Sequence, residues 1–199
     1  MKIVGLTGSI GMGKSTATSI LRDLGVPVHC SDEAVHILMG AGGEAVGLVD
    51  AAFPGVFNKK DRSIDRRALG AKIFGHDEAR KKLESLIHPL VVQSQARFIT
   101  NHARLHTDIV VLDIPLLYET GAQSRLDYVI VVSAPDFIQR QRVMTRPGMT
   151  HEKFMFILAT QIPDGEKRRQ ADYVVETGIG LAETRRHLEK ILRTLRKGN

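Results

Sequence analysis

The sequence contains little of what marks secreted or membrane proteins. Cys30 is the single cysteine among 199 residues, so an internal disulfide framework is excluded and a reducing compartment is expected. No apolar run approaches the ~20 residues that a membrane span needs. The strand-like start at residues 1–5 leaves no room for a signal peptide. We therefore expect a cytoplasmic protein with no membrane partner.

Aromatic residues are also scarce, since tryptophan is absent and the aromatic fraction is 5%. Proteins that bind single-stranded nucleic acid need aromatic stacking platforms beside their positive charge. Although the formal net charge is +6, we therefore predict no nucleic-acid partner. The basic run at residues 80–82 lies among acidic residues, and we interpret it as a solvated helix face, with attraction of a small polyanion as the alternative.

The chain alternates between short apolar runs and longer stretches of helical character. The apolar runs predict strands at residues 3–7, 26–30, 109–114, 128–132 and 173–175. Helices are predicted at residues 14–24, 44–53, 65–75, 78–106, 135–145, 150–170 and 180–197, and a further one runs through residues 34–38. Strands that alternate with helices indicate an α/β fold with a mainly parallel sheet flanked by helices.

Several residues mark expected helix boundaries. Gly25 is expected to end the first helix as a C-terminal cap, and Ser31 or Asp32 to act as the N-cap of the second. Residues 44–107 are expected to be entirely helical. Within them the long helix should be broken or bent at Pro89, because proline removes a backbone donor.

One motif decides the functional class. Residues 8–15 match the phosphate-binding pattern G-x-x-x-x-G-K-[ST], between a predicted strand and a predicted helix. Side chains are minimised at Gly8, Gly11 and Gly13, so backbone N–H groups can approach phosphate oxygens closely. The N-terminus of the following helix adds donors and the positive end of its dipole. The motif predicts a nucleoside triphosphate as ligand.

Three further side chains extend this phosphate chemistry. Lys14 supplies a point charge that reaches the terminal phosphates, and Ser15 supplies a hydroxyl for Mg²⁺. Asp113 ends an apolar strand, where an acid that assists Mg²⁺ is expected; the alternative is that it only begins a turn.

Two other patterns are interpreted as structural. Residues 58–61 match the N-K-x-D sequence that reads guanine in GTP-switch proteins, but they precede the strand that such a motif should follow. We predict a polar turn between helices there. His102 with His106, and Asp32 with His36, have a spacing that could bind zinc if a third ligand converged. Hydrogen-bonded or exposed histidines are the simpler interpretation, and Mg²⁺ is the metal expected.

The acceptor of the phosphoryl group needs chemistry of its own. A hydroxyl acceptor must lose a proton, so a positioned carboxylate is useful, whereas a phosphate acceptor needs none. Asp32 follows the second predicted strand, at the carboxyl edge of the sheet where open α/β folds bind ligands. We predict that Asp32 is the general base; the alternative is that it only caps a helix.

These residues together resemble the dephospho-coenzyme A kinase family, ATP-dependent enzymes of the last step of coenzyme A synthesis. The narrowest shared motifs are His88-Pro89 and the Asp-x-Pro-Leu-Leu-x-Glu of residues 113–119. The resemblance runs nearly from end to end of the chain. Its other matching positions are residues 4–16, 24–25, Asp32, His36, 65–66, Leu69, 73–74, Gly121, Arg142, Arg146, Gln161, Lys167 and 171–172.

The resemblance implies a P-loop NTPase fold in a single domain, 1–199. The implied parts are a core (about 1–43, 108–146 and 171–199), a helical acceptor-binding insertion (about 44–107) and a small helical lid (about 147–170). Closure of the lid over ATP would exclude water and suppress hydrolysis. The implied substrates are ATP, with Mg²⁺, and dephospho-coenzyme A.

The resemblance also implies residue roles. Asp32 matches a carboxylate that activates the acceptor hydroxyl, Thr7 a threonine beside the reacting centre, and Arg142 an arginine that acts on the transferred phosphate; Lys14 joins them in catalysis. The implied ATP-binding residues are Gly8, Gly11, Met12, Gly13, Lys14, Ser15, Thr16 and Arg146. The implied acceptor-binding residues are Asp32, Arg66, His88 and Leu116.

The chain departs from the family pattern at three positions. Cys30 stands where the family usually has an aspartate, which leaves Asp32 as the sole candidate base. Ser9 replaces a glycine of the loop. Thr177 replaces an asparagine near the expected adenine edge, which leaves the choice of nucleotide open.

Two other functions remain as alternatives. The first is a different small-molecule P-loop kinase, such as a nucleotide kinase, against which Asp32 and the motif at 113–119 argue. The second is a nucleotide-dependent switch without acceptor chemistry, which would need guanine-reading and switch motifs.

Overall fold

The structure is a computed structural model that describes residues 1–197. It divides into two compact units. The first comprises Met1–His29 together with the chain from His102 onward, and the second comprises Cys30–Asn101. Each unit has a hydrophobic core of its own.

The elements of the described chain follow in order. The strands are β1 (Lys2–Thr7), β2 (Val28–Cys30), β3 (Phe57–Asn58), β4 (Ser63–Ile64), β5 (Ile109–Asp113), β6 (Tyr128–Ser133) and β7 (Tyr173–Glu176). The helices are α1 (Lys14–Asp23), α2 (Ser31–Leu38), α3 (Val46–Ala52), α4 (Arg66–Ile73), α5 (Asp77–Arg104), α6 (Asp136–Met144), α7 (His151–Ala159), α8 (Asp164–Gln170) and α9 (Leu181–Lys197), with a 3₁₀ turn at Ala122–Arg125.

The main sheet confirms the predicted α/β class. Its strand order is β2-β5-β1-β6-β7, and β1 pairs in parallel with both β5 and β6, as β6 does with β7. Val4 of β1 lies opposite Val111 and Tyr128, which sets the register. The residues of β5 are all buried, as expected for an apolar run inside a parallel sheet. Parallel strands bring their carboxyl ends to one edge, where β1 leads into residues 8–13.

Helix α1 begins directly after the glycine-rich turn. Gly13 takes the N-cap position in the left-handed region, with φ 89°, and Lys14 is the first helical residue. At the other end, Gly25 has φ 75° and its N–H donates to the carbonyl of Arg22, so the predicted cap is confirmed. Ala17 and Leu21 face the core of the first unit.

The second unit contains a hairpin that the sequence prediction missed. Strands β3 and β4 pair in antiparallel fashion, so residues 44–107 are not entirely helical and residues 58–61 do not connect two helices. The tight turn needs Arg62 in the left-handed region at φ 58°, and the Asp61 carboxylate accepts hydrogen bonds from Ser63. Strands of two residues are too short to give a period-2 signal.

Two other boundary predictions are wrong. The predicted break at Pro89 is absent, because the loss of one N–H donor leaves the neighbouring turns of the 28-residue helix α5 bonded; the bend at Pro89 stays a prediction. Cys30, in extended conformation, is the N-cap of α2, so neither Ser31 nor Asp32 takes that position. Asp32 lies instead in the first turn, where a carboxylate interacts favourably with the helix dipole.

The predicted lid segment contains two short helices, α7 and α8, within the first unit. Thr150 caps α7 by accepting a hydrogen bond from the amide of Lys153. No helix within residues 1–197 is long and apolar enough to cross a membrane.

Candidate active site

The glycine-rich turn has a conformation that requires its glycines. Gly11 and Gly13 both have positive φ, 77° and 89°, which side-chain-bearing residues rarely adopt. A Cβ on Gly8 would lie 2.7 Å from the carbonyl oxygen of Val132, so β6 packs directly against the turn. Met12 is buried behind the turn, where its sulfur accepts from the amide of Ala134 at 3.2 Å. The packing and the backbone conformation of the turn therefore require glycine at Gly8, Gly11 and Gly13.

Side chains from three elements hold this turn from behind. Gln139 of α6 donates to the carbonyl of Ile10 at 2.8 Å, and Gln161 accepts from the amide of Ile10 at 3.0 Å. Thr177 donates its hydroxyl proton to the carbonyl of Met12 at 2.8 Å. The turn is thus fixed by hydrogen bonds from α6, from the segment after α7 and from the end of β7.

Lys14 and Asp113 meet in the first unit. The ammonium of Lys14 lies 2.5 Å from one carboxylate oxygen of Asp113, and the hydroxyl of Thr18 donates to the other at 2.6 Å. The Asp113 side chain is 2% exposed. A buried carboxylate needs such partners, because an isolated buried charge is costly.

Arg142 projects from α6 toward the turn. Its guanidinium donates to the hydroxyl of Thr177 at 2.9 Å, to the carbonyl of Thr177 at 2.7 Å and to the carbonyl of Gly11 at 3.4 Å. Arg146 lies two residues after the end of α6 and is exposed. The structure therefore brings Arg142 to the phosphate-binding turn and leaves the side chain of Arg146 toward solvent.

Thr7 and Leu116 lie at the carboxyl edge of the sheet. Thr7 is fully buried at the end of β1, and its hydroxyl donates to the carbonyl of Pro115 at 3.2 Å. Leu116, in the turn that follows β5, is 39% exposed.

The remaining predicted site residues belong to the second unit. Asp32 is exposed in the first turn of α2, and His88 is exposed on α5. Arg66 begins α4, where its guanidinium contacts the imidazole Nδ1 of His36. The carboxylate of Asp65 caps the same helix by accepting from the amides of Arg67 and Ala68. Within this unit the structure therefore pairs Arg66 with His36.

The base of the predicted lid contains buried charges. Lys167 of α8 is fully buried, and its ammonium lies 2.8 Å from Glu119, whose same oxygen accepts from the amide of Ile162. Burial raises the pKa of Asp164, although the hydrogen bond from Ser133 opposes that shift. Burial, with the nearby charge of Asp172, raises the pKa of Tyr118 to about 12.

A cavity of about 410 Å³ lies between helices α6, α7 and α8 of the first unit. It is lined by Ser9, Asp136, Gln139, Arg140, Phe154, Leu158, Gln161, Ile162, Pro163 and Asp164. Ser9 is 4% exposed, so this wall of the turn is shielded from bulk solvent.

Comparison with known proteins decides the family. The model of the family described as dephospho-CoA kinase matches residues 2–183. The chain is 58% identical over 168 residues to the dephospho-CoA kinase of Paramagnetospirillum magneticum, covering 84% of this chain and 78% of that protein. It is 52% identical to that of Mesorhizobium japonicum over 98% of both chains. The chain belongs to the dephospho-CoA kinase family.

A solved structure of the same family shares the fold. The dephospho-CoA kinase from Campylobacter jejuni superposes with a TM-score of 0.70 at 25% identity, over 98% of each chain. The P-loop fold and the kinase activity predicted from the sequence are therefore confirmed, as is its place in the last step of coenzyme A synthesis. The two alternative functions, a nucleotide kinase and a non-enzymatic switch, are set aside.

Sequence reasoning missed several residues that this kinase places around the turn. Thr18 lies four residues after Lys14 on α1 and so shares its helix face, a spacing that could have indicated it. Gln139 gave no local signal, because its partner Ile10 is 129 positions away. Thr177 attracted notice only as a departure from the family pattern.

Proposed function

We propose that residues 8–15 bind the β- and γ-phosphates of ATP and that Lys14 offsets the charge of the transferring phosphoryl group. The observation that carries this proposal is the left-handed pair Gly11 and Gly13 immediately before α1, with Lys14 at its first position. Such a turn directs backbone N–H groups to one side, and the helix N-terminus adds its dipole. The proposed ATP-binding set also includes Met12 of the same turn, Thr16 in the first turn of α1, and Arg146, which follows the end of α6.

The donors beside the turn suit Mg²⁺. Ser15, exposed in the first turn of α1, and Asp113 offer hydroxyl and carboxylate oxygens, the ligands that this hard cation prefers. Ser15 would hold the ion, which when bound neutralises phosphate charge. Both oxygens of Asp113 already accept from Lys14 and Thr18, so Asp113 would assist through these partners.

The roles on the acceptor side are proposed residue by residue. Asp32 accepts the proton of the 3′-hydroxyl of dephospho-coenzyme A, and Thr7 orients groups at the reacting centre. Arg142 acts on the transferred phosphate. The acceptor-binding residues are Asp32, Arg66, His88 and Leu116. In support, Asp32 and His88 have exposed side chains, and Arg66 is positioned by His36.

The segment that contains α7 and α8 would act as a lid. Its closure over ATP would exclude water from the phosphoryl group and so suppress hydrolysis. Gln161 already joins this segment to the amide of Ile10, which gives the lid a fixed attachment beside the turn. A cytoplasmic location accords with the single cysteine.

The experiment that tests the acceptor assignment is Asp32→Asn. General-base contributions are typically ~10²–10⁴-fold, so kcat should fall by that order while ATP affinity and Tm stay near wild type. The measurement is steady-state transfer to dephospho-coenzyme A, with ADP binding by calorimetry. Glu33→Gln is the matched control, since Glu33 is an exposed acid in the same helical turn. An Asp32→Asn variant that keeps more than about a third of wild-type kcat would refute the assignment.

A further inference from the structure

Thr177 lies where three parts of the first unit meet. It follows β7, is 4% exposed, and donates its amide proton to the carbonyl of Ser133 on β6 at 2.8 Å. Its hydroxyl donates to the carbonyl of Met12 and accepts from Arg142, while its own carbonyl accepts a second bond from the same guanidinium. The hydroxyl also lies 3.3 Å from the carbonyl of Ser133, a longer contact than the one to Met12. These contacts of Thr177 end on the phosphate-binding turn, on the neighbouring strand or on Arg142.

The bond to Met12 has a consequence for the next amide. A trans peptide is planar, and its C=O and N–H point in opposite directions. Because the Met12 carbonyl is held toward Thr177, the N–H of Gly13 points to the opposite side of the turn. That is the side from which an anion approaches a turn of left-handed and right-handed residues. The hydroxyl of Thr177 therefore fixes the orientation of the Met12–Gly13 peptide, whose N–H would donate to a phosphate.

The side chain of Thr177 also packs closely against Gly13. A Cβ on Gly13 would lie 2.9 Å from the Thr177 hydroxyl and 3.2 Å from its methyl group, so this side chain packs directly against the turn. Arg142 is oriented by the same hydroxyl, since one guanidinium nitrogen bonds to it and the other to the Thr177 carbonyl. One hydroxyl thus serves both the turn and the arginine, as an acceptor and as a donor.

We propose that Thr177 is a positioning residue for ATP: its hydroxyl fixes the Met12–Gly13 peptide and the guanidinium of Arg142 for the phosphates. The inference rests on the proposed phosphate-binding role of residues 8–15. It assigns Thr177 to the phosphates, through Met12 and Arg142, rather than to the adenine edge where its position first drew attention.

The test compares Thr177→Val, which keeps the shape and removes the hydroxyl, with Thr177→Ser, which keeps the hydroxyl. A hydrogen bond to a charged group is worth about 1.5–3 kcal/mol, so Thr177→Val should raise the KM for ATP by roughly 10- to 100-fold. The KM for dephospho-coenzyme A should change by less than about threefold, which corresponds to under 1 kcal/mol. Thr177→Ser should restore the KM for ATP to within the same threefold range.

Thr184→Val is the matched control. Thr184 is also buried, at 1% exposure, but its hydroxyl bonds to the carbonyl of Gly180 within its own helical turn. Loss of that hydroxyl should lower Tm without changing the KM for ATP. Should Thr177→Val not fold, Thr177→Ala and Thr177→Ser give the same comparison, since their side chains differ only by the hydroxyl.

A double-mutant cycle with Arg142→Ala tests whether Thr177 acts through Arg142. A purely structural role of Thr177 would not couple the effects of the two substitutions. The effects of the two substitutions on kcat/KM for ATP should be non-additive, because they remove parts of one network. Additive effects, an unchanged KM for ATP in Thr177→Val, or a Thr177→Ser variant as impaired as Thr177→Val would each overturn the inference.

Lys14→Ala separates this inference from the proposal on which it rests. If Lys14→Ala keeps near-wild-type turnover, the phosphate-binding role of residues 8–15 fails. If Lys14→Ala abolishes turnover and Thr177→Val leaves the KM for ATP unchanged, only the role of Thr177 fails.

Discussion

Lys167→Met is expected to destabilise the protein far more than loss of an ordinary surface charge. Lys167 is fully buried, and its ammonium lies 2.8 Å from Glu119, which is 14% exposed. Burial raises the pKa of Asp164, and the positive charge of Lys167 opposes that rise. The substitution keeps the length and apolar stem of the side chain but leaves the largely buried Glu119 without its cation.

The size of the effect follows from this burial. Removal of one partner of a buried ion pair costs about 3–5 kcal/mol, because the remaining charge is desolvated and uncompensated. For a chain of this length each kcal/mol shifts Tm by roughly 2–4 °C, so Tm should fall by roughly 6–20 °C. An exposed pair contributes about 0–1 kcal/mol.

The assay is differential scanning calorimetry at neutral pH, with two further variants. Arg186→Met is the control, since Arg186 pairs with Glu183 at 2.7 Å in the same unit but is 74% exposed. The double variant Lys167→Met with Glu119→Gln removes both charges and keeps an oxygen that can accept from the amide of Ile162. It should recover most of the lost stability, because a neutral pair has no unpaired charge.

Two outcomes would refute this reasoning. A Tm shift in Lys167→Met no larger than that in Arg186→Met would mean that the buried pair contributes no more than a surface pair. A double variant as unstable as Lys167→Met would mean that the ammonium acts through packing rather than through its charge.

Two other substitutions test the backbone of the turn and a buried phenol. Gly13→Ala should cost about 1–3 kcal/mol of unfolding free energy and weaken ADP binding in calorimetry, because φ is 89° and Thr177 leaves no room for a Cβ. Gly25→Ala, at φ 75° in open space, should lose stability but keep ADP affinity. Burial raises the pKa of Tyr118 in the folded state to about 12, whereas the pKa of tyrosine in the unfolded chain is about 10. The contribution of Tyr118 to stability should therefore decline as pH rises through that window, and Tyr118→Phe should make the decline less steep in urea titrations.

The parts of the fold that the sequence predicted are those with strong local signals. Strand β5 is an unbroken apolar run, and residues 8–15 combine a spaced glycine pattern with a strand before it and a helix after it. The hairpin of β3 and β4 was missed because two-residue strands have no periodicity, and its turn depends on one residue, Arg62, in a left-handed conformation.

The parts of the site that were missed depend on distant partners. Lys167 was noted only as a position shared with the family, and no local pattern indicated that it is buried beside Glu119, which is remote in the sequence. The threonine at 177 was noticed for its identity, but its role comes from Met12 and Arg142, which are remote in the sequence. Local patterns thus located the turn, and tertiary contacts provided what holds it.

The pairing of Lys14 with Asp113 bears on the proposed role of residues 8–15 in phosphate binding. An ammonium carries three donors, so its contact with Asp113 at 2.5 Å does not prevent it from meeting a phosphate as well. Thr18 holds the second oxygen of the carboxylate at 2.6 Å, which limits the movement of Asp113 and therefore of the lysine. A flexible side chain that is already held loses less entropy when the nucleotide binds. If residues 8–15 bind ATP as proposed, the buried carboxylate of Asp113 would orient the lysine before the nucleotide binds.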